Sequence, residues 1–278
     1  QHQLSPEGSM QLQHQFGSDI TMALDVLAGF GADDAEQREA MRLTHAWLPR
    51  NVATFQDLRA STTRQRMLFG ICQGGFDAER RIESGAFVAA SGVDGCAIGG
   101  LSVGEPKEVM AEMLTASISA LPQDKPRYLM GVGSPEDLWN GVAAGVDMFD
   151  CVLPTRVARR GALYLPIGRV DVTAGRFRAT DAPIDDECDC YTCLNFSAAY
   201  VHHLFRAREL LAYRLASIHN VRFLHRQIDR MRRSIGAGTF EHERQAFLSE
   251  YAPANQAVAA AQRAKFRSAE ANRHASRT

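Results

Sequence analysis

Short apolar runs alternate with amphipathic helical segments across residues 17–152. This alternation is typical of βαβ units, in which each helix returns the chain so that the next strand lies parallel to the last. Each run ends in a polar or glycine-rich tip, and the active sites of such folds gather at the carboxyl ends of their strands. The predicted strands are 20–24, 67–72, 95–98, 128–131 and 146–152, and the predicted helices are 34–58, 77–90, 106–121 and 135–144.

A second feature is a group of three cysteines within six residues, followed by a histidine at a distance that a short helix bridges. Three sulfurs and one nitrogen are what a tetrahedral Zn²⁺ ion prefers. The alternative is that these are ordinary buried thiols, and His202 and His203 compete for the role of nitrogen ligand. We predict one structural Zn²⁺ per chain. The predicted ligands are Cys188, Cys190, Cys193 and His219.

The five predicted strands indicate an α/β chain built as a (β/α)₈ TIM barrel that lacks its N-terminal strands. A doubly wound open sheet is the alternative, because it shows the same alternation. The alternation stops after residue 152, where hairpin-like runs follow at 162–166 and 170–172. The predicted domains are 1–180 (partial barrel with the active site), 181–250 (zinc-binding subdomain and C-terminal helices) and 251–278 (disordered or frayed tail).

The composition narrows the class of protein. The chain has 278 residues, of which 45% are hydrophobic and 23% charged, as in ordinary soluble globular proteins. A formal net charge of -1 gives no general attraction to nucleic acid, so any RNA binding must rest on a local basic patch. Cysteines held by a metal favour a reducing compartment. Neither a membrane-spanning apolar stretch nor a signal peptide is visible, so we predict a cytoplasmic protein without a membrane partner.

Asp150 is the acidic side chain that most resembles a catalytic group. It follows the apolar run 146–149, between Phe149 and Cys151. A carboxylate in such surroundings is expected to be partly desolvated, and therefore to act as a nucleophile or base. The alternative is that Asp150 caps a loop or pairs with Arg156.

Two groups of arginines follow. The first comes directly after the predicted strand tip and suits a substrate that carries phosphates. The second lies on one surface of a predicted helix over 198–235, where a solvated helix face and a phosphate-contact surface are equally consistent with the pattern. The first group is Arg156, Arg159 and Arg160, and the second is Arg222, Arg226, Arg230, Arg232 and Arg233.

Several motifs, in the same order, resemble those of bacterial tRNA-guanine transglycosylases. The resemblance runs from residue 4 to about residue 247. It implies a zinc-containing (β/α)₈ barrel that acts as a homodimer in queuosine biosynthesis. Such enzymes exchange the wobble guanine of tRNAs with GUN anticodons for the 7-deazaguanine base preQ1. The motifs are 99–105 (GGLSVGE), 128–133 (YLMGVG), 147–156 (DMFDCVLPTR), and the cysteine group with 218–220 (IHN).

The resemblance also implies roles for side chains at the strand tips. Asp150 matches the nucleophile, which attacks the ribose and holds the RNA as a covalent aspartyl-ribose intermediate. Asp25 matches the aspartate that accepts hydrogen bonds from the purine N1–H and 2-amino group. Gln73 matches the side chain that reads the 6-carbonyl group of the base.

Four further positions match residues of the base pocket. Gly100 supplies a backbone donor to the base, and Leu101 offers its backbone carbonyl to the aminomethyl group of preQ1. Met130 matches the apolar wall on which the base lies. Val103 stands where family members that accept queuine have glycine, so we predict preQ1 rather than queuine as the substrate.

Two departures from the family pattern bear on activity. The family segment Asp-Ser-Gly-Gly-Phe-Gln, with a second active-site aspartate, has no counterpart, and we therefore expect this chain to be an N-terminally truncated portion of a longer enzyme. Residues 26–28 are Val-Leu-Ala instead of Glu-Cys-Thr, which removes a polar wall and a thiol from the purine pocket. The alternatives are a non-catalytic tRNA-binding subunit, an inactive truncated paralogue and a zinc-containing barrel hydrolase of small metabolites.

Overall fold

A computed structural model describes residues 3–252 of the chain. The chain divides into two compact units, Gln1–Val152 and Leu153–Thr278. The sequence prediction of a first domain over 1–180 runs across this division. From residue 253 onward, the predicted tail lies outside the described residues.

The first unit contains five parallel strands, each hydrogen-bonded to the next strand along the chain. Ile20 pairs with Met67 at one end of the sheet, and Tyr128 pairs with Met148 at the other. A doubly wound sheet reverses its strand order at a switch point, whereas a (β/α) barrel adds strands in sequence. The unbroken order therefore confirms the predicted barrel-type fold. The strands are β1 (Ile20–Met22), β2 (Met67–Cys72), β3 (Gly95–Ile98), β4 (Arg127–Leu129) and β5 (Met148–Phe149).

Helices precede and connect these strands, and side-chain caps fix where several of them begin. The Asp33 and Asp77 carboxylates accept hydrogen bonds from backbone N–H groups in the first turns of the helices that follow them. Such caps satisfy donors that have no partner inside the helix. The helices are α1 (Pro6–Phe16), α2 (Asp34–Ala60), α3 (Ala78–Ala90), α4 (Lys107–Ser119) and α5 (Pro135–Ala144).

The core of this unit lies between the helices and the sheet. Ile98 and Leu129 on neighbouring strands are fully buried, as is Val88 on α3. Burying an aliphatic side chain of this size contributes about 1.5–3 kcal/mol. Because both faces of these central strands are covered, they appear in the sequence as continuous apolar runs, which is why the prediction located them.

The edge of the sheet at β1 is covered by a side chain from α1. The Gln13 amide nitrogen donates to the Met22 carbonyl oxygen at 2.9 Å, and the Met22 N–H donates to the Gln13 amide oxygen at 2.8 Å. The glutamine thus pairs with the strand as a peptide group would. At Met22 the edge of β1 is therefore not available for further strand pairing.

The second unit combines an antiparallel hairpin with helices. Asn220, on the long helix Leu210–Ala237, hydrogen-bonds the first strand of the hairpin. Its side-chain oxygen accepts from the Tyr164 N–H at 3.0 Å, and its side-chain nitrogen donates to the Ala162 carbonyl at 2.9 Å. The elements are α6 (Leu153–Ala158), β6 (Ala162–Leu165), β7 (Gly168–Asp171), a 3₁₀ turn (Gly175–Phe177), α7 (Tyr191–Asn195), α8 (Ala198–Ala207), α9 (Leu210–Ala237) and α10 (Phe240–Glu250).

The predicted single helix over 198–235 is wrong in one respect, because it is divided at Arg208. This residue has a φ of 61°, in the left-handed region. The N–H of the next residue, Glu209, donates to the Leu204 carbonyl at 2.9 Å, which closes α8. Arginine is uncommon in this backbone conformation, so the sequence does not predict the turn.

Candidate active site and metal centre

Asp150 directly follows β5, and its carboxylate is held through one of its two oxygens. The Tyr128 hydroxyl donates to Oδ1 at 2.6 Å, and the Gly131 backbone N–H donates to the same oxygen at 2.8 Å. Among the described residues, no hydrogen bond reaches Oδ2. This second oxygen can therefore approach a reactant without first breaking a bond to the protein.

The predicted partial desolvation of Asp150 is wrong, since the residue is exposed. Successive side chains of an extended segment point to opposite faces. Phe149 and Cys151 therefore do not enclose the carboxylate that lies between them. The position of Asp150 is maintained by its two hydrogen bonds instead.

Tyr128 and Gly131 are well suited to hold a carboxylate. Burial of the Tyr128 ring, and then its hydrogen bond to Asp150, raise the pKa of the phenol above its ordinary value. The hydroxyl consequently stays protonated at neutral pH and remains a donor. Gly131 has a φ of 74°, a backbone conformation that glycine adopts without strain.

Asp25 and Gln73 meet at the tips of the neighbouring strands β1 and β2. The buried Gln73 side-chain nitrogen donates to Asp25 Oδ2 at 2.6 Å. Burial raises the pKa of Asp25, and the hydrogen bond from Gln73 opposes this effect only in part. The structure therefore brings together the two side chains that the resemblance assigns to base recognition.

Gly99 and Gly100, which follow β3, let the backbone pass close to Gln73. A Cβ atom at Gly99 would lie 2.6 Å from the Gln73 side-chain nitrogen, far inside ordinary van der Waals contact. Gly100 has a φ of 69°, and a Cβ there would collide with the Gln73 side-chain oxygen. Any larger residue at either position would displace Gln73 from Asp25.

Arg81 is a positioning residue that the sequence analysis missed. Its guanidinium is fully buried and donates to the carbonyl oxygens of Gly75 at 2.8 Å, Gly99 at 2.7 Å and Gly100 at 3.2 Å. Burial lowers its pKa. The side chain joins the loop after β2 to the loop after β3. In the sequence, Arg81 follows Arg80 on an amphipathic helix, where arginines usually face solvent.

Hydrogen bonds within the loop after β3 also fix its conformation. The Glu105 carboxylate accepts hydrogen bonds from the backbone N–H groups of Ser102 and Val103, the latter at 2.9 Å. The Leu101 side chain belongs to the hydrophobic core, so only its backbone is available to a ligand. Val103 and, after β4, Met130 are half-buried.

The predicted reaction-site residues of the first unit thus follow five adjacent parallel strands. Asp25 follows β1, Gln73 follows β2, the Gly100 loop follows β3, Met130 follows β4 and Asp150 follows β5. Since parallel strands end at the same side of a sheet, these residues all lie along one edge of it.

The four predicted metal ligands form one buried cluster in the second unit. The ligand atoms of Cys188, Cys190, Cys193 and His219 all lie within 4.8 Å of one another. His219 Nδ1 is 3.4 Å from the Cys193 sulfur, while His219 Nε2 lies 2.7 Å from the Tyr164 carbonyl oxygen. A proton on Nε2 bonded to that carbonyl leaves Nδ1 as the metal-binding atom. The cluster has the chemistry to bind a metal ion.

The close approach of the three sulfurs shifts their pKa values in opposite directions. Hydrogen bonds with Cys188 and then Cys193 lower the pKa of Cys190, whereas hydrogen bonds with Cys188 and then Cys190 raise the pKa of Cys193. A thiolate is the form of cysteine that ligates metals. The competing histidine His202 lies elsewhere, since its Nδ1 contacts the Val172 carbonyl oxygen at 2.8 Å.

Several arginines of α9 pair with acidic groups around this cluster. Arg222 makes a bidentate contact with Asp189, with both distances 2.7 Å, and Arg226 contacts Asp185 at 3.2 Å. These bonds tie α9 to the cysteine loop. For Arg222 and Arg226 the structure therefore favours a role within the fold over one on a phosphate-contact surface.

Arg156, Arg159 and Arg160 lie on α6 and directly after it. All three side chains are exposed and make no salt bridge with any residue in the described range 3–252. They remain available to a ligand. Within that same range, no helix has both the length and the apolar character needed to cross a bilayer.

Comparison with known proteins agrees with this picture. The family model described as "Queuine tRNA-ribosyltransferase" matches residues 1–253. A protein of that name from Dehalococcoides mccartyi strain BAV1 is 46% identical over 263 residues, and one from Herpetosiphon aurantiacus is 48% identical over 263 residues. Each alignment covers 95% of this chain and 66% of the relative, so the chain spans just under two thirds of those relatives.

Proposed function

The chain belongs to the queuine tRNA-ribosyltransferase family, and on this premise we propose that it is a tRNA-guanine transglycosylase. The enzyme would be a pentosyltransferase of queuosine biosynthesis. Its reaction exchanges the wobble guanine of tRNAs with GUN anticodons for preQ1. The proposal rests on the hydrogen bonding of Asp150. One carboxylate oxygen accepts two hydrogen bonds, and the other accepts none from the described residues.

In the first step, Asp150 Oδ2 attacks the anomeric carbon of the ribose. The bond between that carbon and guanine N9 breaks, its electron pair leaves with the base, and the base takes up a proton. The RNA is then held as an aspartyl ester. In the second step N9 of the incoming base loses its proton, attacks the same carbon and releases Asp150, so that two inversions give net retention.

Asp25 and Gln73 would select the base. The two carboxylate oxygens of Asp25 match the adjacent N1–H and 2-amino donors of a guanine-like edge. Gln73 and the Gly100 backbone N–H would contact the 6-carbonyl, and the Leu101 carbonyl would accept from the aminomethyl group of preQ1. Met130 would form the apolar wall against the ring.

Val103 supports preQ1 over the bulkier queuine. Its backbone is held by Glu105, so its β-branched side chain has little freedom to move aside. The volume that it fills is the volume that the cyclopentenediol of queuine would need. A measured preference for queuine would contradict this assignment.

The RNA chain must also be bound. The exposed arginines Arg156, Arg159 and Arg160 are suited to phosphate groups of the anticodon loop, because a guanidinium binds phosphate through paired donors. Moving a target base out of the stack costs little free energy when the base lies in a single-stranded loop. We assign these three residues to tRNA binding.

For the metal cluster we propose a structural Zn²⁺, one per chain. Cys188, Cys190, Cys193 and His219 would hold the ion, which when bound would cross-link the cysteine loop to α9. The chain's own contacts prepare this site, since the Tyr164 carbonyl orients His219. A protein that keeps these thiols reduced and uses tRNA would act in the cytoplasm.

We further propose a homodimer, for which the second unit offers an apolar surface. Tyr191, Phe196 and Tyr200 form a row of aromatic contacts, with ring centroids 5.7 Å and 5.2 Å apart. Leu194 beside them is 70% exposed. Exposed apolar patches of this kind are typical of protein interfaces, and symmetric dimers are the commonest assemblies.

Trapping the covalent intermediate tests the proposal. The protein is mixed with tRNA, quenched in denaturant and separated by denaturing electrophoresis. We expect a protein–RNA adduct with the parent and none with Asp150→Asn. Absence of an adduct from a parent that binds tRNA would favour the non-catalytic tRNA-binding subunit.

A further inference from the structure

The second unit contains a cationic cavity that the proposed reaction does not use. Its volume is about 690 Å³, and it opens between α8 and the segment that follows β7. Two arginines and two histidines contribute to its wall, and no carboxylate does. The lining residues are Thr173, Gly175, Arg178, Ala199, His202, His203 and Arg206.

The positive charge of this cavity is not neutralised by the protein. Arg178 and Arg206 are exposed, and neither makes a salt bridge within the described part of the chain. By contrast, Arg222 and Arg226 on α9 are both paired with acidic side chains. The Asp171 carboxylate accepts hydrogen bonds from the Thr173 N–H and hydroxyl at Oδ1, at 2.8 and 2.7 Å, and is not among the residues that line the cavity.

His202 gives the cavity a fixed polar group. The residue is only 8% exposed, and its Nδ1 is held by the Val172 carbonyl oxygen at 2.8 Å. No hydrogen bond within residues 3–252 involves its Nε2. An imidazole that donates from Nδ1 to a carbonyl presents Nε2 to a ligand in a fixed direction.

We propose that this cavity binds a phosphate group of the tRNA backbone. Two guanidinium groups supply paired donors of the geometry that phosphate oxygens accept. Because Nδ1 of His202 donates to the Val172 carbonyl, its Nε2 becomes a further donor to phosphate when the ring carries both protons. This inference rests on the proposed function, because tRNA is the phosphate-bearing substrate. Free inorganic phosphate has the same chemistry, so the test separates the two sources.

The test compares two variants that lose equal charge. Arg178→Gln/Arg206→Gln removes both cavity guanidiniums, and Arg38→Gln/Arg42→Gln removes two exposed arginines of α2. The affinity for tRNA is measured over a range of salt concentrations. We expect the cavity variant to bind tRNA roughly tenfold more weakly than the α2 variant. Its salt dependence should be less steep by about one unit in log–log slope.

Two further measurements serve as controls for this comparison. The KM for the free base should be the same in both variants, because neither touches the strand-tip residues. The assembly is checked by sedimentation because His203 of the cavity wall follows Tyr200 of the proposed interface by about one helical turn, and it should be the same as in the parent. Equal tRNA affinities and slopes in the two variants would overturn the proposal.

Titration with inorganic phosphate, followed by the NMR signals of the His202 ring, identifies the source of the anion. If phosphate shifts these signals while tRNA affinity does not depend on the cavity, the site serves a free anion and the RNA assignment is overturned. If the parent binds no tRNA, the proposed function fails. The phosphate titration then still decides whether the cavity binds an anion, and an unchanged His202 signal overturns the site itself.

Discussion

The Tyr128 hydroxyl donates a hydrogen bond of 2.6 Å to Oδ1 of Asp150, the same oxygen that the Gly131 N–H reaches. Both donors stabilise the negative charge on one side of the carboxylate. The opposite oxygen, Oδ2, accepts no hydrogen bond from residues 3–252. In the proposed reaction, this asymmetry separates the oxygen that is held from the oxygen that attacks.

Replacing Tyr128 by phenylalanine tests this relationship. The Tyr128→Phe variant keeps the ring but loses the donor, so the carboxylate is less well oriented. A hydrogen bond to a charged group contributes about 1.5–3 kcal/mol, and we expect kcat/KM for base exchange to fall roughly ten- to hundredfold. Tyr213→Phe, at a tyrosine that packs on Phe205 in the second unit, is the matched control and should retain activity. Unchanged kinetics in Tyr128→Phe would show that the bond has no catalytic role.

The raised pKa of Asp25 predicts a pH dependence of base binding. The carboxylate must be charged to accept both hydrogen bonds from the base, and burial shifts its protonation to higher pH than in an ordinary aspartate. The KM for guanine should therefore rise as the pH falls through the raised pKa of Asp25. The Asp25→Asn variant should bind guanine weakly at every pH. A flat profile for the parent would contradict the assignment.

Because Arg81 is buried, replacing it should lower the free energy of unfolding far more than replacing a surface arginine. Arg81→Met leaves three buried carbonyl oxygens without their donor, and we expect the free energy of unfolding to fall by about 3 kcal/mol or more. Arg38→Met, which removes an exposed pair with Asp34, should cost less than about 1 kcal/mol. Denaturant unfolding measures both. The KM for the base should also rise in any folded Arg81 variant, since the loops after β2 and β3 lose the side chain that joins them.

Metal analysis tests the cysteine cluster. The purified protein should contain about one zinc per chain, and removal by a chelator should destabilise the second unit. Cys190→Ser should lose the metal. Cys96→Ser, a buried cysteine of the first unit, should keep it. Full zinc content in Cys190→Ser would mean that the ion is bound elsewhere.

Local patterns in the sequence were enough to locate the strands and the metal cluster. Strands β2 and β3 begin and end where the apolar runs do, because both of their faces are covered. The cluster was predictable because three of its ligands lie within six residues. By contrast, β5 is shorter than the run 146–152 suggested, since strand pairing ends at Phe149.

What the sequence did not reveal depends on contacts between distant segments. Arg81 has the sequence context of a solvated helix residue, and only the approach of the Gly99 loop makes it a buried donor. The exposure of Asp150 depends on which way its neighbours point. The turn at Arg208 lacks the glycine that usually marks the end of a helix.

Exchange of radiolabelled guanine into tRNA tests the central claim most directly. The parent protein should incorporate the label, and Asp150→Asn should lose this activity by at least about a thousandfold while retaining its affinity for tRNA. Equal incorporation by Asp150→Asn, or no incorporation by a parent that binds tRNA, would contradict the assignment of Asp150 as the nucleophile.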